Sequence, residues 1–315
     1  SSADEKYKAG LIKRTGLQMF KCFVFLKDNY RIYRHYQDMM QYYEFHDPEQ
    51  LRMTQIDYLY VAIKRGPQDI SSFQGLTETD KKYFETVTVL EKWMRIFDTG
   101  SIEEEESTER NLLSAASCGE SMLRELEKEE QDGKVWNLNK KNIRIGLINI
   151  YGNGILRYRW NAIDTVKSHY QALEKEGADK RELESLEIYL FELESGDFQA
   201  SEQRYREFFE KHGDVISYNE WIHFYTRNNR RDKSKELYER AFDERNYLIS
   251  AQPEYFYRAY IMFIIDNQFD LKYALECYVN HEAQMEDGMV RMLLELELQF
   301  DTCCFNDPDR MLDTI

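Results

Sequence analysis

Five cationic residues lie close together in the second half of the chain, and they could bind a phosphate group or an acidic helix of a partner. They are Arg227, Arg230, Arg231, Lys233 and Lys235. An arginine guanidinium pairs with a carboxylate or a phosphate through two parallel hydrogen bonds, which makes this group a candidate binding site. The competing interpretation is a solvated turn in which the cations pair weakly with Asp232 and Glu236.

A second basic group mixes cations with aromatic side chains, an arrangement that suits RNA because bases stack on aromatic rings. Its cations are Lys140, Lys141, Arg144, Arg157 and Arg159. The alternative is that the neighbouring Tyr158 and Trp160 fill an interface between helices, as aromatic side chains usually do. The charge of the whole chain, −16, argues against nucleic acid, since phosphate binding is driven by lysine and arginine.

The sequence contains no pattern that is typical of a catalytic or metal site. It has neither a G-x-S-x-G elbow nor a Walker lysine loop, and His281-Glu282 lacks the second histidine of a zinc-binding H-E-x-x-H motif. The glycines of Tyr151-Gly152-Asn153-Gly154 are not preceded by a strand, so we interpret this segment as a turn between helices. We therefore expect a protein that is not an enzyme and that uses no metal and no cofactor.

The cysteines and the apolar segments favour an intracellular protein without a membrane partner. Five scattered cysteines without a C-x-x-C pair do not form a disulfide framework, which favours a reducing compartment. No run of eighteen apolar residues is present, so no membrane span is predicted. We expect a cytoplasmic or nuclear location, and a mitochondrial one after removal of a leader peptide stays open.

The composition predicts an all-α fold. The chain has four prolines, none of them between Pro67 and Pro253, and only 14 glycines, so little interrupts a helix. The first helices are predicted at 4–27, 29–45, 49–65 and 79–98, with a later one at 112–131. Residues Tyr30, Tyr33, Met40 and Tyr43 recur near helical spacing and predict the buried face of the second helix.

A run of like charges suggests where the chain divides. Glu103 to Glu106 repel one another and are flanked by glycine, serine and threonine, which predicts a mobile acidic linker. The predicted parts are an N-terminal helical bundle at 1–98, the linker at 99–111, a helical solenoid at 112–300 and a tail at 301–315.

The second half of the chain repeats a turn followed by a helix with an aromatic anchor. The turns lie at 195–198, 228–230 and 266–269, with a weaker copy at 160–161. The anchors, Tyr170, Tyr205, Tyr238 and Tyr278, lie 35, 33 and 40 residues apart. A mostly small residue precedes each anchor by one helical turn, and this period is typical of stacked helical hairpins.

The stretch from about 154 to 285 resembles the helical-hairpin repeat superfamily. Tyr218-Asn219 near a helix start is similar to a pentatricopeptide repeat (PPR), and Trp221 with Tyr225 is similar to a half-a-TPR repeat (HAT). The turn Gly196-Asp197-Phe198 is similar to that of a tetratricopeptide repeat (TPR). The resemblance implies a right-handed solenoid of four or five hairpins whose curved surface holds a partner.

The resemblance also sets the choice between a protein partner and RNA. In the PPR family, a polar residue near the start of the first helix of successive repeats reads RNA bases, and Asn219 matches that position. The corresponding stretch of the next repeat, 254–257, reads Glu-Tyr-Phe-Tyr, so a consecutive base-reading code is absent. This departure favours contact with protein.

We therefore expect a non-catalytic scaffold or adaptor that binds a protein partner, as part of a multi-subunit complex. The expected contact residues combine aromatic side chains with the first basic group: Tyr218, Asn219, Trp221, Tyr225, Arg227, Arg230, Arg231, Lys233 and Tyr257. The alternative is an RNA-associated PPR- or HAT-like factor of an organelle or a ribonucleoprotein complex. That function would require the basic residues to form one stripe on the concave face.

Overall fold

The computed structural model describes residues 2–64, 68–99, 105–132 and 138–244, together with Tyr260 and Phe263. Within these residues it contains eleven α-helices, one short 3-10 helix at Ile70–Ser72 and no strand. The prediction of an all-α fold is confirmed for this part of the chain. The arrangement of the helices into a repeat solenoid stays a prediction.

The helix bounds follow the sequence pattern closely. The helices are α1 (Ser2–Phe25), α2 (Asn29–Tyr42), α3 (Pro48–Ala62), α4 (Glu78–Thr99), α5 (Glu105–Gln131), α6 (Lys140–Tyr158), α7 (Ile163–Lys175), α8 (Lys180–Ser195), α9 (Phe198–His212), α10 (Val215–Arg227) and α11 (Arg231–Glu244). The bounds of α1 to α4 differ from the predicted ones by at most three residues. The helix expected at 112–131 begins earlier, at Glu105.

Aspartate side chains mark where five of the helices begin. Each accepts a hydrogen bond from a backbone N–H of the first turn, which would otherwise have no partner; these residues are Asp28, Asp47, Asp179, Asp197 and Asp214. Such a cap stabilises a helix by about 1 kcal/mol. Left-handed glycines follow the ends of two helices, Gly196 after α8 at φ 60° and Gly213 after α9 at φ 64°.

The chain divides into two compact units, and helices adjacent in sequence are the main packing partners within them. One unit comprises Ser1–Arg95 with Glu105–Ala178, and the other comprises Ile96–Glu104 with Asp179–Ile315. Within the described residues the closely packed pairs are α1–α2, α2–α3, α5–α6, α6–α7, α8–α9, α9–α10 and α10–α11. The domain boundaries inferred from the charge run stay a prediction.

An aromatic stack forms the core of the N-terminal helices. The rings of Tyr36 and Tyr58 are stacked with centroids 3.8 Å apart, and the Tyr33 ring also stacks with Tyr58, at 5.7 Å. The buried face of α2 includes Tyr36 and Met39, whereas Met40 is 40% exposed. The prediction that Met40 belongs to this face was wrong by one position, which rotates a helical residue by about 100°.

Helices α5, α6 and α7 meet around a histidine and a carboxylate. Nε2 of the buried His169 lies 3.0 Å from Oε1 of Glu120, and the Tyr151 hydroxyl donates to the same oxygen at 3.2 Å. The Tyr151 ring also stacks on the His169 ring. The hydrogen bond from His169 holds the pKa of Glu120 below its ordinary value.

The glycine-rich segment at 151–154 is helical and not the turn that the sequence suggested. It lies inside α6, which continues to Tyr158. The helix then reverses through Arg159 in a left-handed conformation, and Trp160 folds back until its backbone N–H donates to Gly154 O at 3.2 Å. A β-carbon at position 154 would lie 2.0 Å from Cε3 of Trp160. Gly154 is therefore needed for the close approach of an indole ring.

Candidate partner-binding groove

Helix α10 is the most buried of the described helices of the second unit, and it supports the candidate site. Tyr218, Ile222 and Phe224 are fully buried on it, and the Tyr218 hydroxyl donates to the backbone oxygen of Leu237 on α11 at 2.6 Å. On the other side, Phe224 packs against Tyr205 of α9 with ring centroids 5.0 Å apart. The position of α10 relative to both neighbours is thus fixed by packing and by a buried hydrogen bond.

A groove of about 390 Å³ runs over α10 between α9 and α11. Its lining is Glu202, Arg206, Phe209, Glu210, Trp221, Tyr225, Lys233, Glu236, Leu237 and Arg240. The aromatic and aliphatic members are buried, whereas the ionisable members are half-buried or exposed. The groove therefore has charged walls above a floor of aromatic and aliphatic side chains, of which only the edges reach the surface.

The two walls carry charges in opposite order. On α9, Glu202, Arg206 and Glu210 recur every four residues and share one helix face. On α11, Lys233, Glu236 and Arg240 recur at spacings of three and four, with the reverse signs. The walls together carry equal numbers of acidic and basic side chains, so the groove has no net charge.

Several ionisable groups of the groove have partners on the protein itself. Burial and the Glu202 carboxylate, which accepts from the Tyr225 hydroxyl, raise the pKa of Tyr225. Lys233 donates to Glu236 at 2.9 Å; this bond raises the pKa of Lys233 and lowers the pKa of Glu236. The guanidinium of Arg206 lies 5.6 Å from the centre of the Trp221 ring. Tyr225 and Glu202 are thus held together at the edge of the floor, and Lys233 pairs with Glu236 at the surface of the α11 wall.

A buried ion pair joins α10 to α8. Arg227 donates to Oε2 of Glu192 at 3.1 Å, and both side chains are 4% exposed. The Tyr205 hydroxyl donates to the same oxygen at 2.9 Å, and the Asn228 amide donates to Oε1 at 2.7 Å. The Arg227 guanidinium also lies 4.6 Å from the centre of the Tyr189 ring. Arg227 is therefore committed to the interior of the unit.

The structure separates the residues that the sequence analysis grouped as partner contacts. Trp221, Tyr225 and Lys233 line the groove. Tyr218 and Asn219 are buried. Arg230 is exposed, with its guanidinium 5.5 Å from the Phe198 ring centre, and Arg231 is half-buried. Tyr257 lies outside the described residues.

Sequence reasoning missed the α9 wall of the groove. Glu202, Arg206 and Glu210 look like an ordinary solvated helix face when they are considered alone. The available signal was their four-residue spacing combined with Phe209, which places one aromatic residue beside a charged row.

Two cations of the second basic group are paired with carboxylates. Lys140 donates to Glu130 at 2.8 Å. Arg144 is buried and donates to Glu127 at 2.8 Å and to Glu176 at 3.1 Å. Of the other members, Lys141 is half-buried, and Arg157 and Arg159 are exposed. Trp160 packs on α6 and donates to Glu109 at 2.8 Å, as the packing interpretation predicted.

Neither known proteins nor simple site criteria assign a role to this chain. No protein-family model matches it, and no curated protein or solved structure is significantly similar to it. Within the described residues, no three His, Cys, Asp or Glu side chains are grouped so that they could hold a metal ion. No helix in the same residues is long and apolar enough to cross a membrane.

Proposed function

We propose that this protein is a non-catalytic helical scaffold that holds a segment of a protein partner in the groove over α10. The observation that carries the proposal is the combination of an apolar floor with charged walls at one place on the second unit. Apolar anchors surrounded by polar contacts are the usual composition of protein–protein sites. The proposed partner is therefore another protein.

The dimensions and charges of the groove indicate the kind of segment that it accepts. The charged row from Glu202 to Glu210 covers nine residues of α9, and the eight steps between its ends span about 12 Å at 1.5 Å per residue. That length matches about two turns of a bound helix. Such a segment would place one or two apolar side chains over Trp221 and Tyr225 and carry charges of both signs on its flanks.

The same features make RNA a less suitable occupant. A nucleic acid brings a row of phosphates, and three of the six charged wall residues, Glu202, Glu210 and Glu236, would repel them. A helix that carries charges of both signs would instead be attracted by both the acidic and the basic residues of the walls. Its binding also costs little ordering of the scaffold, because Tyr225 and Lys233 already have hydrogen-bond partners.

The test is capture of partners from a native lysate by wild-type protein and by a variant with reversed wall charges. The variant is Arg206→Glu with Arg240→Glu, one change on each wall. The control is Lys175→Glu with Lys180→Glu, two exposed residues outside the groove whose replacement adds the same negative charge. Circular dichroism confirms that each variant folds, and parallel samples receive ribonuclease.

We expect the captured proteins to remain bound after ribonuclease treatment. They should bind the wall variant at least tenfold more weakly, because each reversed wall residue then repels the acidic side chain of the partner that it attracted before. The control with Lys175→Glu and Lys180→Glu should bind as the wild type does. The proposal fails if the wall variant retains its partners at wild-type affinity. Loss of all partners after ribonuclease treatment would instead favour the RNA-associated alternative.

A further inference from the structure

The turn between α1 and α2 exposes two large apolar side chains next to each other. Phe25 is 85% exposed and Leu26 is 65% exposed. The flanking residues Lys27 and Asn29 are exposed as well, so this turn protrudes from the end of the hairpin. Single exposed apolar residues are common on proteins, but adjacent ones on a protruding turn indicate a contact site.

Backbone hydrogen bonds hold this turn in one conformation. The N–H of Lys27 donates to Val24 O at 3.0 Å, and the N–H of Asp28 donates to Phe23 O at 3.0 Å. Lys27 adopts a left-handed conformation at φ 54°, which usually favours glycine. Asp28 also caps α2 by accepting from the N–H of Arg31 at 3.1 Å. The apolar pair is thus presented on a fixed turn.

Positive charge surrounds the exposed pair in a chain that is otherwise strongly acidic. Residues 1–36 contain eight lysines and arginines and only three aspartates and glutamates, whereas the whole chain has a net charge of −16. The cations nearest to the turn in sequence are Lys21, Lys27, Arg31 and Arg34, all of them exposed. Asp28 is the only acidic residue between positions 20 and 36.

We propose that this turn is a site of reversible contact with an anionic lipid surface. Phe25 and Leu26 would enter the interfacial layer while the surrounding cations stay among the acidic head groups. Such a contact needs no membrane-spanning helix, and lysines and arginines near an anionic surface each add to the attraction. A protein partner fits the turn less well, because two side chains on a convex turn offer far less area than a stable protein interface.

The test measures co-sedimentation of the whole protein with lipid vesicles. One set of vesicles contains phosphatidylcholine alone, and the other contains phosphatidylcholine with phosphatidylserine, each at low and high salt. Phe25→Ser with Leu26→Ser removes the apolar pair. Leu113→Ser, at a residue of α5 that is 52% exposed, is the control for loss of one exposed apolar side chain outside the turn. Lys27→Gly removes one charge at a left-handed position that glycine tolerates without strain.

We expect binding to the phosphatidylserine vesicles that weakens at high salt and is much weaker on phosphatidylcholine. The partition coefficient onto the phosphatidylserine vesicles should fall at least tenfold for the Phe25/Leu26 variant and about fivefold for Lys27→Gly. Leu113→Ser should leave the partition coefficient unchanged. Two results overturn the proposal: absence of binding to either kind of vesicle, and equal binding by the wild type and the Phe25/Leu26 variant. A protein ligand that depends on Phe25 and Leu26 while vesicles do not bind would assign the turn to a protein partner instead.

Discussion

The buried ion pair between Glu192 and Arg227 gives the sharpest test of how the second unit is held together. Replacing Glu192 by leucine removes the carboxylate that accepts from Arg227, Tyr205 and Asn228. The Arg227 side chain, 4% exposed, would keep its charge in an interior from which water is excluded. Removing one partner of a buried pair costs about 3–5 kcal/mol, because the other charge is left uncompensated.

The second substitution, Arg227→Met, removes the charge that Glu192→Leu leaves unpaired. Arg227→Met alone leaves the Glu192 carboxylate buried, so it should cost a similar amount, about 3–5 kcal/mol. The two changes together leave no buried charge. We therefore expect the loss in free energy of unfolding of the double variant to be smaller than the sum of the two single losses, by at least about 2 kcal/mol.

Hydrogen exchange of backbone amides in α8, α9 and α10 measures these losses locally. A loss of about 3 kcal/mol raises the rate of exchange through local opening by more than about a hundredfold. Glu184→Gln is the control on the same helix, since Glu184 pairs with the exposed Lys211 at 2.7 Å, and we expect it to cost less than about 1 kcal/mol. The reasoning is refuted if Glu192→Leu behaves like this control. It is also refuted if the losses of the two single variants simply add.

The two remaining predictions concern the first unit. Burial raises the pKa of Asp57 to about 6, so the folded state holds this proton more tightly than the unfolded chain does, and stability is lost as the pH rises through about 6. Asp57→Asn should therefore raise the free energy of unfolding by about 1–2 kcal/mol at pH 7, after allowance for solvent screening of a half-buried group. Below about pH 4 it should not change the free energy of unfolding. An equal gain in urea midpoint at both pH values would contradict this. Gly154→Ala should destabilise the protein by roughly 1–3 kcal/mol, because the new methyl group meets the Trp160 ring. In the control, Gly10→Ala, the new methyl group meets no atom within 4 Å and should stabilise α1 by about 0.5–1 kcal/mol in the same urea titration. A Gly154→Ala variant as stable as the wild type would show that the Trp160 ring can move aside at no cost.

In the described part of the second unit, local sequence signals predicted where two of the turns lie and which residues beside them are buried. The turns at 195–198 and 228–230 separate α8 from α9 and α10 from α11. The small residue and the aromatic anchor of α9, Ser201 and Tyr205, are both buried, as are Ser234 and Tyr238 of α11. Each of these features depends on residues within one or two helical turns of each other, so a short window of sequence contains the information.

Features that depend on distant residues were not predicted. Met39 and Met40 are chemically identical, and only the packing of α2 against its neighbours decides which of them is buried. The acidic run near 105 predicts repulsion, yet α5 begins there, and Thr108 and Leu112 a few residues later are buried. The groove likewise requires α9 and α11 to lie on either side of α10, which no single segment specifies.

The same distinction applies to charge. Arg227 was predicted as a surface contact because it belongs to a run of cations, but the structure uses it to neutralise Glu192, which lies 35 positions earlier. Lys233, six residues after it, remains at the surface. Position in a basic run therefore says little about exposure when the run includes the end of one helix and the start of the next.

The packing of most described helices against their neighbours in sequence bears on how the protein is made. The aspartate caps act within three residues, and the closely packed helix pairs are consecutive. A nascent chain that leaves the ribosome can therefore form each cap and then each pair without waiting for distant residues. During synthesis, its apolar faces are covered soon after they emerge, which limits the time in which a long helical chain is exposed to aggregation.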